Sequence, residues 1–131
     1  MLCCAAISWA SKQQAVVALS SSEAEFYAAS ASGCDVSYFR NILAQLGLEQ
    51  KQPTIVFEDN WACIHLSCNA VLHHKSKHIN VRVYHLRDLC KRGVMNLLKI
   101  GTESMVADTL TKQLPRPAFE VHQSVMMNIK K

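Results

Sequence analysis

The chain lacks several features that would place it in familiar protein classes. Its six cysteines follow no disulfide framework spacing, so we expect a reduced intracellular protein. The apolar start at residues 2–7 has no charged segment before it and is broken by Ser8 and Ser11, so we expect it to be a poor secretory signal, and it is too short to span a bilayer. There is no internal repeat or low-complexity segment. With 131 residues, half of them apolar, the chain can bury one modest core, so we expect one domain.

A strong net charge is also lacking. The formal charge of +4 and the pI near 8.8 are too weak to establish a polyanionic partner by themselves. The distribution of charge is more informative, because six of the fourteen Lys and Arg residues fall between Lys75 and Arg92.

Hydrophobic periodicity predicts an alternation of strands and helices, which is typical of a layered α/β fold. The first half reads as two short strands and a long helix that Gly47 ends. In the second half, Asn60 opens a helix, Gly93 ends another, and Thr102 is a candidate N-cap. The predicted strands are 5–9, 15–19, 54–57 and 94–100, and the predicted helices are 20–46, 60–67, 78–92 and 102–112.

Three short acidic motifs carry the strongest functional signal: S-S-S-E-A-E-F at 20–26, F-E-D-N at 57–60 and A-D-T-L-T-K at 107–112. Each places a carboxylate at a strand–helix junction or on a first helical turn, so three distant acids can converge on a divalent metal. Capping-box spacing gives the glutamates Glu23 and Glu25 a structural alternative. Glu25 lies on the apolar stripe and should point toward the sheet, whereas Glu23 lies off it. Asp59 also suits a helix N-terminus, and Asp108 a solvated helix face.

Four longer segments occur in the order found in copia-type retrotransposon polyproteins: V-A-L-S-S-S-E-A-E-F-Y-A-A, F-E-D-N-W-A-C-I, S-K-H-I-N-V-R and A-D-T-L-T-K-Q-L-P-R-P-A-F-E. Over residues 7–120 the chain resembles the C-terminal ribonuclease H domain of these polyproteins. The resemblance implies an α/β fold with a ribonuclease H-like mixed sheet flanked by helices at 1–114, then a tail or surface helix at 115–131. It also implies an intracellular protein, in cytoplasmic virus-like particles or the nucleus, beside the reverse transcriptase of the same polyprotein and without a membrane.

The resemblance implies cleavage of the RNA strand of an RNA–DNA hybrid by four carboxylates that hold two Mg²⁺ (or Mn²⁺) ions. On that pattern Glu25 begins the first helix, Asp59 ends the fourth strand, and Asp108 belongs to the last catalytic helix. Magnesium prefers hard oxygen ligands, and two ions can stabilise both the attacking and the leaving oxygen of a phosphodiester displacement.

The chain departs from the family before residue 5, where the family carries two more strands and a fourth catalytic aspartate. No Asp precedes Glu23 here. We therefore expect an N-terminally truncated domain without strands 1 and 2, with exposed strand edges and impaired catalysis.

The basic segment offers a surface for phosphates, since His78, Arg82 and His85 share one face of the predicted third helix. Lys75 and Lys77 precede that face, and a solvated helix face is the alternative. A non-catalytic nucleic-acid-binding or vestigial fragment therefore remains an alternative function. A zinc site is a weaker one, because its candidate ligands fit no common zinc spacing: Cys63, His65, Cys68, His73, His74 and His78.

Overall fold

The computed structural model describes residues 5–14, 17–18, 20–68 and 77–129. It is a mixed α/β structure in two compact units. One unit is Gln14–Lys99, and the described parts of Met1–Gln13 and Ile100–Lys131 form the other. In chain order the elements are α1 (Ser21–Gln45), β1 (Thr54–Glu58), α2 (Trp61–Cys68), α3 (Lys77–Lys91), β2 (Met95–Lys99), two 3₁₀ helices (Thr102–Ser104 and Val106–Leu110) and α4 (Arg116–Met127).

The long helix α1 forms where the sequence predicts it. Ser20 is extended and its hydroxyl accepts a hydrogen bond from the Glu23 N–H at 3.1 Å, which caps the first turn. Gly47 follows the last turn with φ of 75°, a left-handed conformation that favours glycine. The helix packs against α3 and α2. At Gly33 the approach is close, because a Cβ there would lie 2.6 Å from Leu89 Cδ1.

The sheet of the larger unit has two parallel strands, and in the described residues it has no third. Its register runs from Thr54 opposite Met95 to Glu58 opposite Lys99. The connection between the strands carries α2 and α3, as a parallel pair requires. One sheet face packs on the helices, while Ile55 and Phe57 on the other face are exposed. The buried core consists of Phe26, Ala29, Cys63, Val83, Leu86, Leu89, Met95 and Leu97.

Two predicted elements are wrong. Of the predicted strand 5–9, Ala5 forms an isolated β-bridge and residues 6–9 have no regular structure. The Ala6 N–H donates to the Met126 carbonyl at 2.9 Å, at the end of α4. Residues 102–112 do not form one α-helix, because Met105 is extended (φ −74°, ψ 94°) and separates two 3₁₀ helices. The N-cap of the first 3₁₀ helix is Gly101, and Thr102 is the first residue inside it. The predicted strand at 15–19 lies largely outside the described residues, and 17–18 have no regular structure.

The helix expected in the tail is present as α4 and packs on the second 3₁₀ helix. Pro117 lies in its first turn, where its missing N–H costs nothing. The buried His122 contacts the Glu103 carbonyl through Nε2 at 3.2 Å. No helix in the described part of the chain is long and apolar enough to cross a membrane.

Candidate metal centre

Three carboxylates of the larger unit converge at the carboxyl end of β1. Glu25 comes from the second turn of α1, Glu58 is the last residue of β1, and Asp59 follows it. One oxygen from each side chain lies within 4.8 Å of the others. This acidic cluster brings together two of the predicted ligands and adds Glu58, which sequence reasoning did not assign to the site. It is the one group of this kind found among the described residues.

Strand geometry explains why Glu58 reaches the cluster. Along β1 the side chains of Val56 and Glu58 turn toward the helices, whereas those of Ile55 and Phe57 turn to solvent. Glu58 is therefore buried, with 6% of its surface exposed. The sequence predicts that side chains alternate between the two faces of this strand, but it does not predict which face the helices cover.

Hydrogen bonds hold Glu58 in a fixed orientation. Its Oε1 accepts from the Asn60 N–H at 2.9 Å. Cys63, which is fully buried on α2, also shares a side-chain hydrogen bond with this carboxylate. Burial raises the pKa of the Cys63 thiol, and the negative charge of Glu58 raises it further, so the protonated thiol donates to Glu58. A zinc ligand must be a thiolate, so this environment opposes the zinc alternative at Cys63.

The electrostatics of the acidic cluster favour uptake of a proton or a cation. Burial is the largest cause that raises the pKa of Glu58 above its usual value, and the negative charges of Glu25 and Asp59 add to it. Hydrogen bonds from the Asn60 N–H and Cys63 act in the opposite direction. A divalent cation between the carboxylates would neutralise the repulsion that raises this pKa.

Asn60 joins the elements that carry the acids. Its side-chain oxygen accepts from the Ala62 N–H at 2.9 Å and so caps α2. Its side-chain nitrogen donates to the Ser22 hydroxyl at 3.4 Å, which ties the start of α2 to the start of α1. On the other side, Lys99 Nζ donates to the Asp59 carbonyl oxygen. Asn60 is therefore the N-cap of α2, and Asp59 is not.

The two glutamates of the first motif differ from expectation. Glu23, expected to lie off the buried face, is buried with 5% of its surface exposed, while Glu25 is half-buried. The buried face of α1 runs through Glu23, Phe26, Tyr27, Ala29, Ser30 and Gly33. Glu25 lies at the rim of that face, where its carboxylate reaches Glu58 and Asp59.

Asp108 belongs to the smaller unit, on the 3₁₀ helix Val106–Leu110. Its Oδ1 lies 2.9 Å from Lys112 Nζ, and its side chain is mostly buried. Its convergence on the acidic cluster stays a prediction.

Some of the predicted phosphate-binding residues have defined contacts. Arg82 is exposed, and its guanidinium lies 4.4 Å from the centre of the Tyr27 ring, a cation–π contact between α3 and α1. His85 is half-buried and its Nδ1 lies 3.1 Å from the Ser30 hydroxyl. Lys75 lies outside the described residues, as do the side chains of Lys77 and His78. Of the zinc candidates, only Cys63 and His65 have described side chains.

Comparison with known proteins identifies relatives along nearly the whole chain. The Retrovirus-related Pol polyprotein from transposon TNT 1-94 of Nicotiana tabacum is 42% identical over 116 residues, 88% of this chain. Those from transposons RE1 and RE2 of Arabidopsis thaliana are each 33% identical over 114 residues, 87% of this chain. The homologues of this chain are retrotransposon Pol polyproteins. The chain spans only 8% to 9% of the length of these relatives. No family model and no solved structure matches it.

Proposed function

We propose that this chain is part of a retroelement-derived ribonuclease H-like domain that, in its intact form, cleaves the RNA strand of RNA–DNA hybrids with Mg²⁺ or Mn²⁺. The observation that carries the proposal is the convergence of Glu25, Glu58 and Asp59 within 4.8 Å. Homology to Pol polyproteins supports a retroelement origin, and the nuclease activity is our inference from the cluster and the sequence motifs.

The donor set of the acidic cluster suits these ions. Mg²⁺ binds carboxylate oxygens at about 2.0–2.1 Å, so two ligands on opposite sides of one ion are about 4.2 Å apart. Adjacent ligands of an octahedral ion are closer, at about 3 Å, so the three oxygens, which lie within 4.8 Å of one another, need to approach by up to about 2 Å to share one ion. All three are hard oxygen donors, which Mg²⁺ and Mn²⁺ prefer to nitrogen or sulfur.

Each residue of the site has a defined task in this proposal. Glu58 and Asp59, which are positioned by the end of β1 and by the Asn60 cap, would supply two of the carboxylate ligands, and Glu25 would supply the third from α1. Asp108 is the proposed fourth carboxylate. The metal supplies an activated water and stabilises charge on the phosphate oxygens when it is bound. Arg82, stacked on Tyr27 beside the first turns of α1, is positioned to bind a backbone phosphate.

Cleavage of a labelled RNA–DNA hybrid tests the proposal. We expect cleavage that depends on Mg²⁺ or Mn²⁺, is absent in Asp59→Asn, and is retained in Glu49→Gln, which alters an exposed carboxylate of the same unit. A chain that binds hybrid with a steep salt dependence but never cleaves it would instead be the non-catalytic nucleic-acid-binding module.

A further inference from the structure

Trp61 is an exposed aromatic side chain that closely follows the acidic cluster in the sequence. It is the first residue of α2, two positions after Asp59, and 60% of its surface is exposed. The same helix buries Cys63 completely. Packing of α2 therefore does not require the indole, and a tryptophan ring in contact with water forgoes a large favourable burial.

The position of the indole is well defined although it is exposed. Asn60 caps α2 through the N–H groups of Ala62 and Cys63, so the backbone beside Trp61 is fixed. The Trp61 ring also lies against the imidazole of His65, one helical turn away, with ring centres 6.1 Å apart and a tilt of 49°. An aromatic ring on a fixed helix loses little conformational entropy when a ligand packs on it.

We propose that Trp61, supported by His65, is a stacking surface for a nucleotide of the nucleic-acid strand that lies across the acidic cluster. This inference rests on the proposed function and names a contact by which the same site would hold its substrate. In a duplex the ring face can pack on the sugar of a paired nucleotide or on the base at a strand end, and neither contact depends on base identity, which suits an enzyme that reads the shape of a hybrid.

The surroundings of Trp61 favour a nucleotide over a protein partner. Its ring neighbour is the imidazole of His65, and the two residues before it, Asp59 and Asn60, carry polar side chains. A protein-docking surface is usually a contiguous apolar patch. A single flat ring beside groups that bind a phosphate-coordinating cation matches the alternation of base, sugar and phosphate in a nucleic acid.

Intrinsic fluorescence provides the test, because the chain has two tryptophans. In Trp9→Phe, Trp61 is the sole reporter, and we expect its emission to be quenched on titration with a short RNA–DNA hybrid. By anisotropy with labelled hybrid, Trp61→Leu should bind about tenfold more weakly, Trp61→Phe should retain most of the affinity, and Trp9→Leu should match the parent. Trp9 is the matched control because it is also exposed, at 72%, and belongs to the other unit.

Salt dependence separates stacking from an indirect effect on charge. Stacking releases no counterions, so Trp61→Leu should lower the affinity at every salt concentration without changing the slope of log K against log salt. Unchanged affinity in Trp61→Leu, or an unquenched Trp61 on hybrid that is demonstrably bound, overturns the inference while the nuclease proposal stands. A parent chain that binds neither Mn²⁺ nor hybrid overturns both.

Discussion

The acidic cluster should make folding stability depend on divalent cations. Two carboxylates at the 4.8 Å limit of the cluster repel each other by about 3.5 kcal/mol at an effective dielectric constant of about 20. A cation between them replaces this repulsion with attraction. Because the cluster exists only in the folded chain, Mn²⁺ at about 100 times its Kd should add about 2.7 kcal/mol to the free energy of unfolding. For a chain of this length that is a rise in Tm of about 10 °C.

Thermal unfolding followed by circular dichroism, in EDTA and in millimolar Mn²⁺, measures the effect. The parent and Glu49→Gln should show the full rise in Tm, because Glu49 is exposed and outside the acidic cluster. Glu58→Gln and Asp59→Asn should each lose most of it, since each removes one of the three described carboxylates. The two variants keep the size of the side chains, so they should still fold.

Two outcomes would refute the reasoning about the cluster. The first is a parent Tm that does not change in millimolar Mn²⁺, which would mean that the three carboxylates do not form a metal site. The second is an equal Mn²⁺-dependent rise in the parent, Glu58→Gln and Asp59→Asn, which would place the cation elsewhere on the chain.

The remaining predictions concern the groups around the cluster. Because the folded-state pKa of Glu58 is raised, the folded chain in EDTA binds a proton that the unfolded chain has released. Stability to urea should then fall as pH rises from the ordinary glutamate range through that raised pKa, and Glu58→Gln should flatten this slope. Cys63→Ser keeps a hydrogen-bond donor to Glu58 and should keep the Mn²⁺ affinity measured by calorimetry, whereas Cys63→Ala should weaken that affinity by about tenfold. Equal affinities in the two variants would contradict a role of Cys63 in positioning Glu58. Gly33→Ala places a Cβ 2.6 Å from Leu89 Cδ1. After allowance for the better helix propensity of Ala, the free energy of unfolding in urea should fall by about 1 kcal/mol. An unchanged free energy would mean that Leu89 moves aside freely.

The elements that sequence analysis predicted well are those whose ends are defined by local chemistry. The Ser20 hydroxyl and Gly47 mark the ends of α1, and Asn60 caps α2. Each of these signals acts over three or four residues, so the amino-acid order alone is sufficient. The strand at Thr54–Glu58 was recognisable for the same reason, as a compact β-branched run after Pro53.

The elements that it predicted wrongly depend on distant partners. Residues 5–9 have the composition of a strand, but only Ala5 forms a β-bridge, and the Ala6 N–H bonds to Met126 at the end of α4. At Thr102–Leu110 the spacing of apolar residues suits a helix, but the extended conformation of Met105 divides it. The spacing of apolar residues does not show that one residue, here Met105, adopts non-helical backbone dihedral angles.

Glu58, the ligand that sequence analysis missed, differs in burial from Asp59, the ligand that it predicted. The pleat directs Glu58 beneath the helices beside the Cys63 thiol, and the next residue, Asp59, lies at the rim. Burial therefore penalises the charge of Glu58 when no cation is present. Replacing Glu58 by Gln should raise the stability of the metal-free chain and lower that of the metal-bound chain. These two stability changes have opposite signs only if Glu58 is a buried metal ligand that costs stability when no metal is bound. A carboxylate that served packing alone would change the stability of the metal-free and metal-bound chains in the same direction.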